Sequence, residues 1–86
     1  MPTISMFYGI LIRMFFDDHQ PPHFHVQYSE FKAKISIDTL EILDGNLPSR
    51  VLGLVLEWAA IHRNELRADW DLCVKKEQPK SILPLE

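Results

Sequence analysis

The chain has 86 residues, of which 47% are hydrophobic, which describes one domain with one small core and is too apolar and too varied for disorder or a solenoid. A formal charge of −3 supplies no global attraction to phosphate backbones, so nucleic acid is a disfavoured partner unless a local basic patch forms. Cys73 is the single cysteine; it excludes an intrachain disulfide, fits a cytoplasmic setting, and reads as a small buried apolar residue before it reads as a nucleophile.

The opening "MPTISMFYGILIRMFFDD" is apolar but is interrupted by Arg13 and lacks a basic leader followed by a small-residue cleavage site, so neither a signal peptide nor a membrane span is expected. Pro2, if freed by methionine removal, would offer a secondary amine as a base, in the manner of the small tautomerases that begin with proline. No arginine pair supports that use. The run "GILIRMFF" from Gly9 to Phe16 is too short for periodicity to decide, but its composition and the turn signals after it predict a strand buried on both faces. Asp17 to Pro22 is a loop, because two successive prolines fix φ and remove two backbone donors.

"HFHVQY" alternates, with Phe24, Val26 and Tyr28 on one side and His23, His25 and Gln27 on the other. "KAKISID" repeats the pattern after a turn near Ser29 to Phe31, setting Ala33, Ile35 and Ile37 against Lys32, Lys34, Ser36 and Asp38. Together they predict a hairpin with one dry and one wet face. The parity slips at Asp38 and Thr39, which calls for a bulge or tight turn before a short further strand at Leu40 to Ile42. "DGNLP" closes the sheet region at about residue 44, with Gly45 in a turn and Asn46 as a candidate N-cap. From 47 to 73, Leu52, Val55, Ala59, His62, Leu66, Trp70 and Cys73 recur at three- and four-residue intervals, the stripe of one long amphipathic helix. Residues 74–86 form a tail or a short edge strand. The expected fold is α+β: a three- or four-stranded antiparallel sheet with one long helix on its apolar face, all in a single domain spanning 1–86.

Chemistry concentrates in "DDHQPPHFHVQYSE". On a strand, His23 and His25 share a face roughly 6.5 Å apart at Cα, from a rise of ~3.3 Å per residue. Two imidazoles at that spacing can hold one divalent transition-metal ion, with His19 swinging in from the loop as a third ligand. They can equally act as general base and acid on a phosphodiester, or be ordinary half-exposed strand residues. His-x-His followed by Glu30 resembles part of the cupin metal motif, but the flanking glycines are absent and the chain is too short for that barrel. Glu30 therefore stays only as an additional candidate ligand. Lys34 and Ser36, on the same wet face, and Arg13, which joins them if the first strand pairs alongside, are candidate ligand- or phosphate-binding residues. His62 falls in the helix's apolar stripe and should face the dry side, away from the other histidines, as a core residue satisfied by hydrogen bonds. Trp58 and Trp70 read first as packing anchors.

"MPTIS.FYGI.IRMFF.DH.PPHFHV.Y", "ISIDTLEIL.G.LP.R", "LVLEWAA.HR.EL" and the closing "I.PL" together resemble the bacterial domain of unknown function 4160 family over nearly the whole chain. The family pattern includes His19, Pro21, Pro22, His23, Phe24, His25, Glu57, Trp58, His62, Glu65, Leu66 and Trp70 at matching positions, and Asp69 departs from the more usual asparagine. No catalytic role comes with the resemblance. It implies a gene often found beside that of another small domain, hence an interaction component of a two-gene, toxin–antitoxin-like module with a small protein partner from the adjacent gene; a second copy of the chain is the other candidate partner. The alternatives from the residues themselves are a small nuclease-type toxin using His23 and His25, and a histidine-based metal-binding module.

Overall fold

The alternating segments form strands because each can bury one side against a helix while its backbone is satisfied by its neighbours. The computed structural model describes residues 3–16 and 18–86; Pro2, the candidate terminal amine, and Asp17 lie outside them. In chain order the elements are β1 (Thr3–Phe7), β2 (Ile10–Arg13), β3 (His23–Tyr28), β4 (Phe31–Ser36), β5 (Ile42–Gly45), α1 (Ser49–Ile61) and α2 (Arg63–Val74). The strands pair antiparallel in the order β1-β2-β3-β4-β5.

The α+β class holds, but the sheet has five strands instead of three or four. Tyr8 and Gly9, at φ 50° and 76°, form a two-residue turn of the kind that matches strand twist, and fold Thr3–Phe7 back on Ile10–Arg13. The extra strand thus comes from residues ahead of the "GILIRMFF" run, of which only Ile10–Arg13 is β-strand. The parity slip after Ser36 is a tight turn: Leu40 donates its N–H to the Ser36 carbonyl at 2.9 Å, and Leu40 itself takes φ 61°. Gly45 belongs to β5, not to a turn outside the sheet. A Cβ there would stand 2.1 Å from the Lys32 carbonyl oxygen, so only glycine lets β5 close on β4.

The single helix of 47–73 is two helices. His62, at φ −109° and ψ 23°, interrupts it, yet Leu66 still donates to the His62 carbonyl at 2.9 Å. The apolar stripe continues through the break, which is why spacing could not show it. Asn46 is not the N-cap; the helix starts after Pro48 without a side-chain cap, and the Asn46 N–H goes to the Lys32 carbonyl at 3.0 Å.

Val51, Val55, Trp58 and Ala59 of α1 and Leu66, Trp70 and Cys73 of α2 pack with Phe24, Val26 and Ile35 of the sheet in one core. Trp58 is its centre, with ring centroids 5.4 Å from Phe7 and 6.0 Å from Phe24. The tail is docked without forming a strand: Trp58 Nε1–H donates to the Leu83 carbonyl at 2.8 Å, and the Ile82 N–H donates to Ile4 on the β1 edge at 2.8 Å. Among the described residues, no helix is long and apolar enough to cross a membrane.

Candidate metal centre

β3 begins where the Pro21–Pro22 corner ends, so His23 enters the sheet with the loop folded beside it. The Gln20–Pro21 peptide is cis. Asp18, on that loop, turns its carboxylate onto both strand histidines: Oδ2 lies 2.7 Å from His25 Nε2 and 3.1 Å from His23 Nε2. One ligand atom from each of Asp18, His23 and His25 falls within 4.8 Å of the other two.

The two histidines have different environments although they share a strand face. His25 is half-buried, with the Phe15 ring edge-on at 4.4 Å. His23 is not on a wet surface: its side chain is 5% exposed, because its ring lies between His25 at 5.1 Å and Trp70 of α2 at 5.3 Å. Alternation assigns a face to a residue but does not say what another element lays over it.

Hydrogen bonding sets the direction of the His23 lone pair. Nδ1 lies 2.8 Å from the Pro21 carbonyl, which can only accept, so Nδ1 carries the proton and Nε2 of the neutral ring is an acceptor. That Nε2 is buried and lacks a hydrogen bond; its 3.1 Å approach to Asp18 is close but not aligned as a bond. A ring nitrogen fixed by a carbonyl behind it, with its free lone pair turned toward a carboxylate, is the arrangement of a metal-ligating histidine.

Burial alone would raise the Asp18 carboxyl, but the hydrogen bond from His25, the positive charge that the His23 and His25 rings carry when protonated, and the His19 N–H together hold it below its ordinary value. Burial pushes His25 below the ordinary imidazole value; the Asp18 hydrogen bond and charge oppose this, while His23 and Lys34 add to it. The resulting state is a carboxylate accepting from the Nε2–H of a neutral imidazole, so His25 offers its Nε2 lone pair to an ion only when the ring proton sits on Nδ1.

The remaining candidates lie elsewhere. His19 is exposed and supplies its backbone N–H, 3.2 Å from Asp18 Oδ1, to the carboxylate; its ring is not in the cluster. Glu30 is exposed in the β3–β4 turn, at the opposite end of β3 from His23, and accepts from Ser29 Oγ at 3.2 Å. Ser36 is 4% exposed and its Oγ accepts the Thr39 N–H at 3.2 Å inside the turn, so it is no open phosphate ligand. Arg13 and Lys34 do flank His25, as its register partners on β2 and β4. His62 is half-buried at the helix junction, its ring 5.6 Å from Trp58 and its Nδ1 2.5 Å from Glu65 Oε1. Burial pushes the Cys73 thiol up to about 11, with Asp69 and Asp18 nearby adding to the shift, so it stays protonated at neutral pH.

Asp18 is the residue that motif reasoning passes over. Its only sequence signal is an acid seven residues before His25 and just ahead of the proline corner, which becomes meaningful when the loop folds back.

A small α+β domain with a carboxylate and two imidazoles converging beside a proline corner is the class that fold and site define. The family model for a domain of unknown function (DUF4160) matches residues 9–71, and the chain belongs to that family. No curated protein and no solved structure matches it.

Proposed function

We propose that this protein binds a divalent first-row transition-metal ion through Asp18, His23 and His25. The observation that carries the reading is the convergence of Asp18 Oδ2 with the two Nε2 atoms, backed by the Pro21 carbonyl behind His23. Ligand atoms around a tetrahedral ion at about 2.0–2.1 Å stand about 3.3–3.4 Å apart, so an ion replaces the 2.7 Å His25–Asp18 contact if the carboxylate withdraws by about 0.6–0.7 Å and the His25 ring carries its proton on Nδ1 instead of Nε2. Two imidazoles and one carboxylate leave positions for water or a substrate oxygen. Acid/base use of His23 and His25 alone is less well supported, because the His23 side chain is 5% exposed and its ring lies against Trp70. A cytoplasmic setting belongs to the reading, since Cys73 is a lone buried thiol.

Chelator-free purification followed by metal analysis, with titration of Zn, Mn, Ni and Cu into stripped protein, tests it. One equivalent bound by the wild type and lost in His23→Ala and His25→Ala is expected; no stoichiometric binding by any of the four ends the reading.

A second reading, that the chain is one half of a two-protein module, is favoured by β5. All four of its residues are exposed, including Ile42 and Leu43, and it is an outer strand of the sheet, which leaves an edge that a partner strand can extend. Co-expression with the adjacent gene product should give a complex that a Leu43→Lys change weakens; two independent monomers would remove this reading.

A further inference from the structure

The outer face of the sheet carries a transverse row of side chains in strict register. Arg13 on β2 pairs with His25 on β3, His25 with Lys34 on β4, and Lys34 with Asp44 on β5. Register partners stand about 4.5–5.5 Å apart at Cβ, so His25 has a cation on each side. Lys32, two residues before Lys34 on the same face, adds a third. These residues line a cavity of about 480 Å³ that Phe15 also bounds, a size suited to a small organic ligand.

The cations are not consumed by internal pairing. Among the described residues, none of Arg13, Lys32 and Lys34 forms an ion pair; Arg13 spends one N–H on Gln27 Oε1 at 3.2 Å. Asp44, the acid at the end of the row, accepts from the Gly45 N–H at 3.0 Å. In a chain with a formal charge of −3, three cations against one carboxylate, Asp44, around one cavity are a local reversal of sign, and they offer several donors to a tetrahedral oxyanion.

His25 is shared between this cavity and the metal centre. We infer that the cavity binds a small-molecule phosphate monoester, with Arg13 and Lys34 holding the phosphate oxygens and one oxygen directed to the metal's open side at His25. Only this last contact rests on the metal reading; the basic row is independent of it. A phosphate fits better than a carboxylate because it can meet cations on both sides of His25 at once. A nucleic-acid strand fits less well, since the basic residues form one short row and the chain as a whole is negative.

Binding of inorganic phosphate, then glycerol phosphate, to stripped and to Mn-loaded protein tests this by calorimetry and phosphorus NMR. Arg13→Gln and Lys34→Gln should each weaken phosphate binding about tenfold or more while leaving metal affinity unchanged, and bound Mn should broaden the phosphorus line of the wild type. Phosphate binding that depends on Arg13 and Lys34 without any metal uptake would support the cavity and defeat the metal reading. Metal uptake with no phosphate binding, or phosphate binding indifferent to both substitutions, would overturn the inference and leave the metal reading standing. Displacement of phosphate by a single-stranded oligonucleotide more tightly than by glycerol phosphate would also overturn it.

Discussion

Asp18 and Asp69 are both carboxylates withdrawn from water, and their environments drive them in opposite directions. Asp69, on α2, is 2% exposed; Oδ1 accepts the Lys80 N–H at 2.9 Å, and Oδ2 has no hydrogen bond. Burial raises its pKa, the Lys80 N–H opposes the rise, and Glu65 adds to it. Asp18 is also penalised by burial, yet is held low by two imidazoles. Burial by itself protonates an acid; a site built from groups that favour the anion keeps it charged and ready for a cation. On the proposed metal reading Asp18 is a ligand, whereas Asp69 anchors the tail after α2.

The sharpest test of that contrast is metal affinity. Asp18→Ala should weaken binding by more than about 100-fold, since loss of a ligand exceeds the effect of losing its support, and Asp69→Ala should leave affinity unchanged while lowering thermal stability. Equal metal loss in both variants would erase the distinction.

Next comes the cost of the lone buried charge. Asp69→Asn keeps an oxygen for the Lys80 N–H and removes the charge, so it should stabilise the fold at pH 7, measured by denaturant unfolding. A destabilised Asn variant would mean that the Asp69 charge has a partner in solution.

Acid titration of metal-free protein should then separate the two acids by sign. The folded pKa of Asp18 is lowered from 3.8, so its contribution is present above 3.8 and is lost as pH falls through the lowered value. For Asp69 the folded pKa is raised from 3.8; its contribution is full below 3.8 and is lost as pH rises through the raised value. Stability-against-pH curves of Asp18→Asn and Asp69→Asn should therefore flatten in different windows, one below 3.8 and the other above it.

The smallest effect is expected at the third acid–imidazole contact. His62 and Glu65 lie 2.5 Å apart, but Glu65 is 53% exposed and the pair spans one helical turn. Glu65→Gln should change stability by less than about 0.5 kcal/mol and metal binding not at all. A larger loss would show that the break at His62 depends on this pair.

The legibility of the fold follows from where the information lies. Alternation over His23–Tyr28 and Phe31–Ser36 specified the central hairpin and the shared face of His23 and His25, because a period of two is local. The β1–β2 turn escaped because Tyr8 and Gly9 sit in an unbroken apolar run, and their positive φ angles leave no mark on hydropathy. The helix break at His62 escaped because a stripe of burial survives one residue's departure from helical dihedrals.

The candidate site divides along the same line. By itself the sequence put two histidines on one strand face beside a proline corner, with Lys34 on the same face of the next strand, since a period of two depends on neighbours one or two residues apart; Arg13 joins that face only through the pairing of β2 with β3. Only the tertiary structure decided that Asp18, and not His19, completes the cluster, that Trp70 encloses His23, and that Ser36 and Glu30 are elsewhere. Those outcomes depend on how a loop folds back and which helix lies over a strand, and neither is encoded in the spacing of residues along the chain.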